Sequence, residues 1–202
     1  MTRGRYIAFE GSEGCGKSTH AATLAGALDA VLTRETGGTA IGRRIREILH
    51  DTSVTDLSPR SEALLAAADR AQHIAEVVEP ALSAGRHVVS DRTVYSTLAY
   101  QGYGRGLSLD HIRSINDWAV QGLWPELVLL LEVPVEVVER RLQKRQLDRF
   151  EQEDRDFHQR VRDGFRAMAE ADPEHWVLID ATLDKDTVAA TIRAAVLDRL
   201  GL

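Results

Sequence analysis

A chain of 202 residues, 44% hydrophobic and 28% charged, has the length and composition of one globular domain with a full core. Its net charge of -6 argues against a broad nucleic-acid footprint. With no long apolar span and no N-terminal signal pattern, it is expected to be soluble and cytoplasmic, with no membrane partner. Cys15 is the single cysteine, so an intrachain disulfide is excluded.

In chain order, the apolar run Tyr6-Ile7-Ala8-Phe9 predicts a strand, and Ala21 to Leu28 reads as a helix. Between them lies Gly11-Ser12-Glu13-Gly14-Cys15-Gly16-Lys17-Ser18-Thr19, the Gly-x4-Gly-Lys-Ser/Thr pattern of a phosphate-binding P-loop in its strand-to-helix setting. Glycines let successive N–H groups face one concavity, and the helix adds its positive end. Lys17 is expected to reach the outer phosphates and the Ser18 hydroxyl to ligate Mg2+. Cys15 reads as small filler within the loop.

Val31 to Arg34 predicts a second strand, followed by the turn-rich Glu35 to Thr39 and a helix with apolar positions at Ile41, Ile45, Ile48 and Leu49. Arg46 is expected beside that buried stripe. Ser58-Pro59 is a helix start that runs to about Val78 and ends near Pro80, with Glu62, Ala66 and Arg70 on one face. His87 to Ser90 predicts a strand whose carboxyl end carries Asp91-Arg92, where a carboxylate meets a metal in open parallel sheets. The Gly/aromatic/Arg cluster within Val94 to Leu107 reads as a substrate loop.

Leu109 to Gly122 predicts a helix, and Leu127 to Val133, lacking polar alternation, a strand covered on both faces. Pro134 opens a helix that enters the basic run Arg140 to Arg149. A helix from about Asp156, a strand at Trp176 to Ile179 and a helix from about Asp184 complete the chain. Alternating helices and five strands imply an α/β fold with a five-stranded parallel sheet flanked by helices, and the Gly11 to Thr19 loop makes it a P-loop NTPase.

Arg46, Arg70, Arg92 and the 140–149 run supply more cations than one triphosphate needs, so a second phosphorylated ligand is expected. A phosphate monoester acceptor, with a second pKa of about 6, is already a nucleophile at neutral pH. Catalysis then reduces to alignment and charge neutralisation. Two other readings stay open: a different nucleoside or nucleotide kinase, and a regulatory switch that turns nucleotide over slowly.

Several segments together resemble the bacterial thymidylate kinase family: Phe9 to Ser18, Thr33 to Thr39, Ala68-Asp69-Arg70-Ala71-Gln72-His73, Ser90-Asp91-Arg92, Ala99 to Gly102 and Asp148-Arg149-Phe150-Glu151. They lie in the family's order and spacing, and a single domain over 1–202 with a lid at about 141–153 is implied. The resemblance implies ATP and dTMP as substrates, Mg2+ as cofactor and a homodimer. ATP is expected along Gly11, Glu13, Gly14, Cys15, Gly16, Lys17, Ser18 and Thr19. For dTMP, Glu13 faces the sugar, Arg70 and Gln101 the thymine edge, and Arg46 and Arg92 the phosphate; Ala66 and Thr97 also fall in this site. Tyr100 fills the space of a ribose 2′-OH. Asp91 with Ser18 organises Mg2+. Gly14 stands where the eukaryotic type has Arg, so the catalytic cation is expected from the lid, Arg149 first and Arg145 second, beside Lys17 and Arg92.

Four positions depart from the family pattern. Thr36 replaces a proline, Thr93 an aromatic, and Tyr95 stands where an acidic residue is common. Ala66 replaces the phenylalanine that stacks on thymine, a contact worth roughly 1 to 3 kcal/mol. Either Tyr95 or Tyr103 fills that volume, or the pocket is looser and admits other pyrimidine monophosphates.

Overall fold

The five apolar runs form strands β1 (Tyr6–Glu10), β2 (Val31–Arg34), β3 (Val88–Asp91), β4 (Leu127–Glu132) and β5 (Trp176–Asp180) in a computed structural model that describes residues 2–142 and 147–202. They pair in parallel in the order β2-β3-β1-β4-β5. The strands most uniformly apolar, β1 and β4, lie inside the sheet and are buried along nearly their whole length, whereas the edge strands β2 and β5 are partly exposed. That is the pattern of a sheet covered on both faces.

The pleat divides each strand between two cores. Ile7, Phe9, Leu127 and Leu129 face one side, against Leu24 of α1 (Lys17–Leu28) and Ile192 and Val196 of α9 (Lys185–Leu200). Ala8, Val128 and Leu130 face the other, with Phe157, Phe165 and Met168 of α8 (Arg155–Ala171). The remaining helices are α2 (Ala40–His50), α3 (Pro59–His73), α4 (Glu79–Ser83), α5 (Val94–Thr97), α6 (Leu109–Val120) and α7 (Val135–Leu142). Ser58 caps α3 by accepting from the Ser61 N–H at 3.2 Å, with Pro59 opening the helix as its sequence predicts.

Three local expectations are corrected. Pro80 does not end the third helix: α3 passes through a π-helical turn at Ile74–Val78 into α4, where Pro80 lies in the first turn. Its missing N–H falls where the hydrogen-bond register is already changing, so no interior bond is lost. The expected substrate loop is helical and buried, α5 running into a second π-helical turn at Leu98–Gly104. Its glycines serve close packing, because a Cβ on Gly102 would lie 2.5 Å from Leu109 and one on Gly104 2.7 Å from Phe157. On α2 the apolar stripe is not buried as a unit. Ile41 and Ile48 are 53% and 45% exposed, while Gly42 and Leu49 are buried. A Cβ on Gly42 would lie 2.2 Å from Asp69, so α2 approaches α3 along its glycine.

Candidate active site

The loop from β1 to α1 turns through Gly11, Gly14 and Gly16 at φ of 134°, 70° and 102°, values that favour glycine. Gly16 caps α1 without a side-chain bond, which leaves first-turn N–H groups for an anion. Lys17 is buried and donates from Nζ to the Ser12 carbonyl at 2.6 Å, which aims its ammonium back across the loop. Cys15 turns its side chain into the core beneath, as filler, and a Cβ on Gly11 would lie 2.3 Å from the Leu131 carbonyl oxygen. These two therefore shape the loop from below.

A cavity of about 470 Å³ opens above the carboxyl ends of β1 and β3, where open parallel sheets bind ligands. It brings together Glu13, Gly14, Gly16, Lys17, Ser18 and Thr19 of the loop with Arg46, Ala66, Arg70, Asp91, Arg92, Thr97, Tyr100 and Gln101. Of the expected site residues, Gly11, Cys15 and Arg149 do not line it, and Arg145 lies outside the described residues.

Arg92 joins the two halves. Directly after β3 it adopts φ of 71°, uncommon for a side-chain-bearing residue, while its N–H donates to the Phe9 carbonyl at 2.9 Å. Its guanidinium donates to Glu13 at 2.5 Å, Ser96 Oγ at 2.9 Å and the Tyr100 hydroxyl at 3.1 Å. Burial alone would raise the Glu13 carboxyl, but Arg92 and Lys17 hold it well below the usual carboxylate range. Burial would lower the Arg92 guanidinium, but Glu13, with Tyr100, Glu10 and Asp91, raises it.

Glu10 holds this corner in shape and escaped the sequence reading. Buried at the end of β1, it accepts from Thr93 N–H at 2.8 Å, Thr93 Oγ1 at 3.0 Å and Ser96 Oγ at 2.6 Å, clamping the start of α5. Burial pushes its carboxyl up, and the pull of Arg92 only partly offsets this. The available signal was a carboxylate ending an otherwise fully apolar central strand. The Thr93 departure has a role here, since its hydroxyl bonds Glu10.

Ser18 Oγ donates to Asp91 Oδ2 at 2.5 Å, so the two oxygen groups expected to organise Mg2+ already meet. Among the described residues there is no group of three or more His, Cys, Asp or Glu side chains able to cage a metal. One carboxylate and one hydroxyl suit Mg2+, which is usually held by one or two carboxylates with the remaining positions left to water and nucleotide phosphates.

At the far end Arg70 is buried to 2% and donates to Glu35 at 2.8 Å, Thr97 Oγ1 at 3.0 Å, the Thr93 carbonyl at 3.2 Å and Asn116 Oδ1. Glu35 also meets His73 Nδ1 at 2.9 Å, and His73 Nε2 lies 2.6 Å from Thr33 Oγ1. His73 is thus a packing and orienting group. Arg46 Nη1 donates to the Thr36 carbonyl at 3.1 Å, which ties α2 to the loop where Thr36 departs from the family pattern. Burial lowers the Arg46 guanidinium, and Arg34 and Arg92 nearby add to that.

Arg149 is placed differently from the lid role expected of it. Its Nε donates to the Leu49 carbonyl at 2.8 Å and its Nη2 to the buried Glu62 at 2.6 Å. Glu62 also takes Gln101 Nε2 at 2.7 Å and Arg105 at 3.1 Å, so it gathers cations behind the cavity wall. Its neighbours do reach the site: Asp148 Oδ2 lies 2.7 Å from His50 Nδ1, and Phe150 and His50 both line the cavity. Neither ring was singled out from sequence. Tyr95 and Tyr103, expected to offset Ala66, point elsewhere. Tyr95 packs 4.7 Å from Trp176 and 5.4 Å from Trp124, and Tyr103 lies against Gly164.

Fold and cavity together define a P-loop nucleotide-binding domain whose cavity continues to a second end lined by Arg46, Arg70 and Arg92. The family model for thymidylate kinase matches residues 9–192. Relatives named thymidylate kinase include those of Desulfovibrio desulfuricans, 47% identical with 95% of this chain and 94% of the relative covered, and Trichlorobacter lovleyi, 45% identical with 98% and 99% covered. The crystal structure of thymidylate kinase from Ehrlichia chaffeensis superimposes with a TM-score of 0.79 at 28% identity, covering 96% of this chain and 99% of that one. The chain belongs to the thymidylate kinase family.

Proposed function

We propose that this chain transfers the γ-phosphoryl group of ATP to dTMP, giving dTDP and ADP, with the acceptor seated between Arg92, Arg46 and Arg70. The observation that carries this is the single cavity in which Lys17 and Ser18 of the P-loop meet, through Glu13 and Asp91, the acceptor-side Arg92. The backbone of Gly11 to Thr19 cradles the ATP phosphates. Lys17 neutralises charge on the transferring group. Arg46 and Arg92 bind the acceptor phosphate, whose dianion attacks without a general base. Glu13 stays ionised and, held by Arg92, is positioned toward the acceptor sugar, while Tyr100 closes the space beside it. Arg70, Thr97 and Gln101 face the base edge.

Ser18 and Asp91 are the residues that would hold Mg2+, which supplies further neutralisation of phosphate charge. The lid cation belongs to the basic run around Arg145, because Arg149 in this arrangement would have to leave Glu62 first. A homodimer is supported by exposed apolar side chains on three helices: Ile41 and Ile48 on α2, Leu64 on α3 and Trp118 on α6, the last 81% exposed. Sedimentation is expected to give twice the chain mass, and Ile48→Glu with Trp118→Glu a monomer. An unchanged mass in that double variant would move the interface elsewhere.

The direct test is ADP release from ATP with and without dTMP. Release is expected to depend on dTMP and to fall at least about 100-fold on chelation of the metal. ADP release that ignores dTMP would overturn the assignment.

A further inference from the structure

The acceptor end of the cavity has polar groups for the rim of a flat base, in Arg70, Thr97 and Gln101, yet few groups that could support its face. Ala66 offers one methyl. Tyr100 has little face to give: the Arg92 guanidinium lies 5.1 Å from its ring centre, and Phe157 and Phe165 pack against it at 6.1 and 6.4 Å. Phe150 is the remaining ring of a Phe, Tyr or Trp in the lining. It is partly buried, with His50 at 5.3 Å and 67° and Tyr100 at 5.7 Å and 87°, both edge contacts that fix its orientation. The Arg149 guanidinium sits 4.7 Å from its ring centre, covering one face.

The turn that carries this ring is built rigidly. Asp148 Oδ1 accepts from the N–H groups of Phe150 and Glu151 at 3.0 Å each, Asp148 Oδ2 meets His50, and Arg149 is bonded to Leu49 and Glu62. A cavity-lining aromatic ring set by two T-shaped ring contacts and backed by a cation is suited to serve as a stacking platform for a base.

We propose that Phe150 is the ring on which the acceptor's pyrimidine rests, so that the face of the base site is carried by the turn Asp148 to Glu151 and not by helix α3. Arg149 is then a positioning residue, holding the platform from behind. This rests on the dTMP kinase reading. It also ties base binding to the turn that follows the basic run.

Steady-state kinetics and calorimetric dTMP binding on Phe150→Ala, Phe150→Leu and the double variant Ala66→Phe/Phe150→Ala test it. Phe150→Ala is expected to raise KM and Kd for dTMP about 10-fold or more, with KM for ATP unchanged. Phe150→Leu is expected to show an intermediate loss, and the double variant, which restores a ring from α3, to recover most of the affinity. If circular dichroism shows Phe150→Ala unfolded, Phe150→Leu carries the test. Wild-type dTMP affinity in the folded variants, or an equal rise in KM for ATP, would overturn the inference while leaving the kinase reading intact. Wild-type protein that neither binds dTMP nor turns it over would instead overturn that reading, and this inference with it.

Discussion

Lys17→Met is expected to lower kcat for dTMP phosphorylation by about 10² to 10³-fold while changing Kd for dTMP by less than about threefold, the size of effect seen when one charge-stabilising donor is removed from a transition state. The substitution leaves the loop standing, because its path is set by the left-handed glycines Gly11, Gly14 and Gly16 and by Cys15 anchored in the core. What it removes is an ammonium already fixed by the Ser12 carbonyl at 2.6 Å, so no reorganisation cost masks the loss. Methionine keeps the apolar stem, which separates charge from packing. Single-turnover kinetics with bound dTMP measures the chemical step directly. A loss smaller than tenfold would mean that the charge on the transferring group is neutralised elsewhere.

The same loop shows why so much of this molecule is legible in its sequence. A Gly-x4-Gly-Lys-Ser pattern demands a strand before it and a helix after it, and both requirements are met by runs whose burial follows from composition: Tyr6 to Glu10 and Lys17 to Leu28. The five strands were readable for the same reason, being short apolar runs at alternating positions with helices. The residues gathered at the sheet's carboxyl end follow from topology. Ser18 and Asp91 are 73 residues apart in sequence, yet the parallel pairing of β1 and β3 brings their carboxyl ends side by side.

Reading failed where a contact depends on who packs against whom. Nothing in Leu98 to Gly104 reveals that its glycines are there for Leu109 and Phe157, so a buried π-helical turn looked like a substrate loop. Ile41 and Ile48 fit a buried stripe by spacing, but α2 meets α3 through Gly42, and the isoleucines turn outward. Arg149 carried the charge expected of a lid, and only the fold shows Glu62 behind it. Phe150 was visible only as a letter in a matched segment; Tyr95 packs on Trp176 and Tyr103 against Gly164, and of the three rings only Phe150 lines the cavity. In each case the local pattern was silent about the packing partner.

Arg70 provides the largest expected effect on stability. Arg70→Met is expected to lower the unfolding free energy in urea by about 3 to 5 kcal/mol, the cost of removing one partner from a buried ion pair. Arg70 is 2% exposed and satisfies Glu35, Asn116 and two groups on or beside α5 at once. Without it, Glu35 keeps its contact with His73 Nδ1 at 2.9 Å, in a site where Arg70 is the first influence holding its carboxyl down against burial. Loss of a contact and creation of an unpaired charge are separable by a second change. Glu35→Gln/Arg70→Met removes both charges, so it is expected to be more stable than Arg70→Met alone despite carrying one more substitution. Strict additivity of the two single losses would show instead that Arg70 stabilises through packing and its neutral partners, with Glu35 ionised or not as circumstances allow. The pair also bears on function, since dTMP added to wild-type protein raises the unfolding midpoint by mass action and the same addition to Arg70→Met is expected to raise it far less. Arg70 thus links the two properties: the cavity-lining side chain proposed for the base edge is the one that neutralises the carboxylate buried behind the site.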